Sequence, residues 1–241
     1  MGVTDLEFKV LCDYYRRGKL PKPFTFTSRI RSATAYAAER ERVCRDLLER
    51  ADAPFERMVR VLARPDAIVV ARGWDERNPR VPESCIYLHA VRQGSRCYVV
   101  RQCMGETTDH SRGFDVVECA VRELSATVIG LLPAAPAGTG PDLLVDSQSG
   151  TAPDGAAASR AFFETPATGT GYLRVLQSRL HFRRRGIAQT SAVWRDLPGD
   201  GRYLIESDGV RSTVTGMDPR QLSGWLDGWL GHIMARLETA V

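Results

Sequence analysis

The sequence predicts an α+β fold of two similar halves, each a run of short strands closed by a helix. Three observations carry this. Between residues 67 and 118, four stretches rich in Val, Ile, Tyr and Cys are separated by turn residues and followed by an amphipathic segment at 121–132. After a stretch rich in Pro, Ala and Gly, the same order returns over 171–215, with a closing helix over about 218–237. Residues match as well as elements. Cys97-Tyr98-Val99-Val100-Arg101 resembles Arg202-Tyr203-Leu204-Ile205-Glu206, and Arg122-Glu123-Leu124-Ser125 resembles Arg220-Gln221-Leu222-Ser223 just inside the closing helices.

Taken in order, Thr4-Asp5-Leu6-Glu7 has capping-box spacing, and Leu6, Val10, Leu11 and Tyr14 recur at helical intervals, predicting a helix over 5–17. Pro21 and Pro23 end it, and Phe24-Thr25-Phe26-Thr27 reads as a short edge strand. Charges interleaved with Ala37, Val43, Leu47 and Leu48 predict a second helix over 34–50 with one wet face, and 55–63 gives a third. Strands over 67–74, 85–92, 96–103 and 114–118 make an antiparallel meander. Residues 133–140 (PAAPAGTG) read as a flexible or polyproline-like connector, and 150–158 is similarly poor in core formers. The expected organisation is an N-terminal half over 1–132, a connector over 133–168 and a C-terminal half over 169–241, in one globular unit. The second half has strands over 171–178, 187–197, 202–206 and 210–215, then a helix opening at Asp218-Pro219.

A chain of 241 residues with 43% hydrophobic content can bury a core without metal or disulfide support. Lys and Arg number 33 against 29 Asp and Glu, a balance well short of the concentrated field of a dedicated nucleic-acid binder. The six cysteines include no CxxC and no His at metal-ligand spacing, so buried free thiols in a reducing compartment are expected. Asp5 and Glu7 stand where a signal peptide would be basic and then apolar, and the apolar runs are too short to cross a bilayer, so a cytoplasmic protein without membrane insertion is expected.

Nothing in the residues assembles a reactive site. His89, His110, His181 and His232 share no spacing with a nucleophile or second ligand. Gly169-Thr170-Gly171 lacks a following Gly-Lys-Ser/Thr and leads into a strand, where no helix amides can hold a phosphate. No catalytic residue, metal ligand, cofactor or small-molecule substrate is expected. The run Arg179-Leu180-His181-Phe182-Arg183-Arg184-Arg185, with Tyr172 nearby, carries the alternative reading of a nucleic-acid-binding regulator; charge at a hairpin tip also serves solubility alone.

The last helix is the most informative segment. Leu222, Leu226, Trp229, Ile233 and Leu237 form an apolar stripe expected in the core. Gly224, Gly228, Gly231 and Ala235 gather on the far side, flanked by Trp225 and His232, and each glycine there costs roughly 1 kcal/mol relative to alanine. Two occupants fit such a ridge: another helix of the same chain, or a partner.

The order of landmarks resembles a known family. A first helix ending near Gly18-Lys19-Leu20-Pro21, Leu62-Ala63-Arg64-Pro65-Asp66 leading into a strand, Leu131-Leu132-Pro133 leaving a helix, and Gly201-Arg202-Tyr203-Leu204 before a Val-Thr strand together resemble the EspG family of actinobacterial type VII (ESX) secretion chaperones. The resemblance implies a central, strongly twisted antiparallel sheet with quasi-twofold halves. It also implies a cytosolic chaperone, without catalysis or cofactor, that binds the helical tip of the PPE subunit of a PE–PPE heterodimer. By order along the chain, the partner would be held by the loop over 74–82 and the C-terminal helix: Arg72, Trp74, Arg77, Asn78 and Arg80 with Gly224, Trp225, Gly228, Trp229 and His232. The short, low-complexity stretch 149–168 departs from a family that often carries further helices there.

Overall fold

The structure, a computed structural model, describes residues 1–16, 18–146, 156–178 and 186–239. Its first half runs β1 (Gly2–Val3), α1 (Asp5–Arg16), α2 (Ala33–Glu49), α3 (Ala53–Ala63), β2 (Ala67–Trp74), β3 (Ile86–Gln93), β4 (Arg96–Met104), β5 (Ser111–Cys119) and α4 (Leu124–Gly130). The second runs β6 (Leu143–Asp146), α5 (Ala156–Glu164), β7 (Gly169–Gln177), β8 (Gln189–Asp196), β9 (Arg202–Ser207), β10 (Arg211–Gly216) and α6 (Pro219–Glu238). The strands form one sheet in the order β1-β5-β4-β3-β2-β7-β8-β9-β10-β6. Outward from the central β2–β7 pair, the two wings match: four strands of meander, then an edge strand from the start of that half. The expected α+β class with two similar halves about one antiparallel sheet holds.

Local chemistry explains the elements. The Thr4 hydroxyl accepts the Glu7 amide at 3.2 Å while Glu7 Oε2 accepts the Thr4 amide at 2.8 Å, the capping box read from the sequence. Asp218 and Gln221 make the same reciprocal pair at the head of α6, with Pro219 in its first turn. The expected strand at 24–27 is irregular chain instead. Phe24 turns into the core between Phe8 and Phe114, and the Thr25 amide donates to the side chain of buried Gln102 at 2.9 Å rather than to a neighbouring strand. The edge place is taken by β1, with Val3 opposite Phe114. The closing segment at 121–132 divides into a 3₁₀ turn (Val121–Glu123) and α4.

The stretch 133–168 supplies β6 and α5 to the second wing. Residues 133–140, expected to be a flexible or polyproline-like connector, lie along the start of β9: the Arg202 amide donates to Pro136 O at 2.7 Å, and the Gly138 amide to Arg202 O at 2.9 Å.

Alternation along the strands sends residues to two cores. On one face Val69, Leu88, Val99, Leu173, Val175 and Leu204 pack under α4 and α6. On the other, Tyr87, Tyr98, Val100 and Val116 pack under α1 and α3, while Tyr203 and Val214 meet Phe162 of α5. Across the central pair, the indole of Trp194 lies flat over Gly73 of β2 and Gly171 of β7. A Cβ at Gly73 would stand 2.6 Å from Trp194 Cζ2, and one at Gly171 would collide with both the indole and the Arg72 carbonyl. The halves are thus joined by hydrogen bonds and by one large side chain for which two strands leave room.

Candidate partner-binding site

Just before the loop, near the end of β2, Arg72 lies close to two rings. The Arg72 guanidinium lies 5.0 Å from the centroid of Tyr87 and 5.8 Å from that of Trp74. Arg77 grips Asp75 through two hydrogen bonds, 3.0 Å from Nε and 2.8 Å from Nη2, and this holds the Asp75 carboxyl below its ordinary range. The Asn78 amide donates to Asp75 O at 3.1 Å, and its carbonyl accepts the Val81 amide at 3.1 Å, so two turns lead into a 3₁₀ turn at Pro82–Ser84. Arg80 is exposed and has no ion-pair partner among the described residues. Of the three arginines expected to act as a clasp, two are engaged within the chain and Arg80 is displayed.

On α6 the buried stripe is Leu222, Leu226, Leu230 and Ile233; Trp229 and Leu237, expected within it, sit half-buried at its margin. Gly224, Gly228 and Gly231 are exposed, and a Cβ at any of them would meet nothing within 4 Å. Among the described residues, therefore, no helix of the chain fills the ridge. Trp225 is half-buried, its Nε1 donating to Glu206 Oε1 at 2.6 Å. Trp229 stands edge-on to His232 at 5.7 Å and lines a cleft of about 810 Å³ with Arg174, Thr190, Glu206, Arg211 and Thr213. Ser125 of α4 donates to Asp227 Oδ1 at 2.6 Å, fixing α6 on its inner flank.

The two groups of predicted residues do not meet. Arg72 shares a sheet face with Tyr87, under α1 and α3, whereas α6 lies on the opposite face. They also diverge along the strands. Trp74 pairs with Thr170 at one end of β2, while Gln189 and Thr190, beside Trp229, lie level with Ile68 and Val69 near the other end. For Trp229 that separation is roughly 20 Å along the strand direction, and for Trp225, bonded to Glu206 at the level of Ala71, about half as much.

The EspG family model matches residues 4–228. The chain belongs to the EspG family. Among solved structures, it matches the Mycobacterium tuberculosis type VII secretion system chaperone EspG5, determined in complex with a PE25–PPE41 dimer. The TM-score is 0.57 and the identity 15%, with 92% of each chain covered, a likeness of fold. Comparison with curated proteins finds no match.

Several residues around the candidate positions escaped the sequence reading. Glu206 had a signal: two residues beyond inward-facing Leu204, it is a charge on the face covered by α6. Glu76 and Arg195 had none, because an acid in a loop and an arginine 119 positions later are joined only by the fold. The basic run at 179–185 lies outside the described residues. Among the described residues, no group of three His, Cys, Asp or Glu side chains could hold a metal ion, and no helix is long and apolar enough to cross a membrane.

Proposed function

We propose that this EspG-family chain is a cytoplasmic chaperone that acts by binding rather than catalysis. It takes the helical tip of a PPE-type protein in a PE–PPE heterodimer, keeps it soluble and delivers it to type VII secretion. The observation that carries the reading is the open ridge of α6. Three interior glycines, each about 1 kcal/mol unfavourable in a helix, face solvent beside Trp225, Trp229 and His232 with nothing packed on them. Such a ridge lets a second helix approach closely, with aromatic side chains at its rim as anchors. The family match, and the PE25–PPE41 dimer bound to the structurally similar EspG5, support a helical partner of the same kind. Arg72 and Trp74 at the end of β2, with Arg77, Asn78 and Arg80 of the loop, form a second contact, with Arg80 its free cation and Trp74 its apolar anchor.

Co-expression with a PE–PPE dimer, followed by capture on the tagged chain, tests this. The dimer is expected to co-purify, and capture is expected to fall at least tenfold in Gly228→Arg, which fills the ridge, and in Arg80→Glu. Capture of nucleic acid in place of the dimer, or capture indifferent to both substitutions, would overturn the reading.

A further inference from the structure

The loop over 75–85 does not hang freely from the sheet. Arg195, on β8, is 6% exposed and gathers four acceptors. Its Nη1 donates to Phe162 O at 2.8 Å and more loosely to Phe163 O at 3.5 Å; its Nη2 donates to Thr165 O and to Glu76 Oε2, both at 2.8 Å. Three of these are carbonyls around the C-terminus of α5, which lack partners within the helix and favour a cation there. The fourth is a carboxylate from the root of the loop. The same Glu76 oxygen accepts the Ala167 amide at 2.9 Å, and the guanidinium lies 5.5 Å from the Phe162 ring. On either side of Glu76, Asp75 and Arg77 are paired to each other, so Glu76 is the loop's long-range tie.

We propose that Glu76 is a positioning residue: through Arg195 it latches the loop after β2 onto the end of α5, so that the two move as one unit. The loop belongs to the first half and α5 to the second, and the latch fixes one against the other where the sheet alone does not reach. Burial raises the Glu76 carboxyl, but Arg195 and the Ala167 amide outweigh it and hold the group below its ordinary range, as a permanently charged partner requires. If the partner-binding reading is right, the latch sets where Arg80 is presented.

Hydrogen–deuterium exchange on the free, full-length protein tests this without any partner, so its failure is separable from a failure to capture a PE–PPE dimer. In Glu76→Ala, exchange is expected to rise roughly tenfold at Ala167 and at the loop amides of Asn78 and Val81, the scale set by losing hydrogen bonds to a charged group. It is also expected to rise at Thr165, whose amide bonds Ala161 and never touches Glu76. Amides of β3 and β4 are expected to stay as in the wild type. Glu76→Gln, which keeps an acceptor, is expected to fall between. Wild-type exchange at Thr165 in Glu76→Ala would overturn the coupling, and a rise spread through β3 and β4 would show general loosening in place of a latch.

Discussion

The first half closes with α4, seven residues long, and the second with α6, twenty residues long. Both lie on the same sheet face, and related runs lead into them, Arg122-Glu123-Leu124-Ser125 from the 3₁₀ turn into α4 and Arg220-Gln221-Leu222-Ser223 in the first turns of α6. The shorter helix buries Leu124, Ser125, Val128 and Ile129, and Leu131 and Leu132 just after it continue into the same core. The longer one buries a stripe of four residues against the sheet and against α4, and still presents a glycine edge to solvent. One repeat therefore spends its closing helix on stability alone, whereas the other extends it into a surface. The wings teach the same lesson: a near-symmetric sheet makes a rigid platform, and function is sought where symmetry fails.

The comparison breaks first at the seam. Trp194 can cross from β8 to β2 only because Gly73 and Gly171 carry no side chain, so Gly171→Ala is expected to lower unfolding free energy by about 3 kcal/mol or more, read by urea denaturation. Gly130→Ala, at the end of α4 where a Cβ meets nothing within 4 Å, is the control and is expected to show no loss. A seam that tolerated the change would mean the two wings can slide without consequence.

The first wing can also be probed with acid. His89 is buried on β3, its Nδ1 donating to Lys22 O at 2.8 Å, and burial pushes its pKa down to about 4. The unfolded chain takes up a proton on this imidazole near pH 6.5, the folded protein only near 4. Between those values folding must expel a proton, so stability is lost as pH falls, by up to roughly 3 kcal/mol at the lower end. Denaturation midpoints measured from pH 7 to 4 are expected to show this slope in the wild type and a shallower one in His89→Gln.

The order and class of most elements were legible because alternation, capping boxes and turn residues act locally. Phe24-Thr25-Phe26-Thr27 misled, because its β-prone side chains serve a loop whose amide is satisfied by Gln102 rather than by a strand. The edge strands β1 and β6 are too short to carry a period, and residues 133–140 are ordered by contacts with Arg202 that no local pattern encodes. At the candidate site the glycine ridge was visible, as a helical spacing. That it is empty, and that Trp74 and Trp229 sit on opposite faces, follows from register across several strands. Trp229 was placed in the buried stripe because the sequence period cannot distinguish it from Leu230 one position on.

The smallest effect is the most discriminating for the α4–α6 contrast. If the ridge exists for a partner, removing its glycines should help the isolated protein and harm the complex. Gly228→Ala is expected to raise stability by up to about 1 kcal/mol, since alanine is the better helix former and a Cβ there meets nothing. Replacing Gly224, Gly228 and Gly231 together by alanine is expected to add further stability while weakening capture of a PE–PPE dimer, because three methyl groups hold a docking helix away from the α6 backbone. Stability that rises with capture intact would make the ridge an ordinary solvent face and shift the binding role to the Arg80 loop. Stability that falls would show the ridge to be packed in solution, and the two closing helices to be more alike than their lengths suggest.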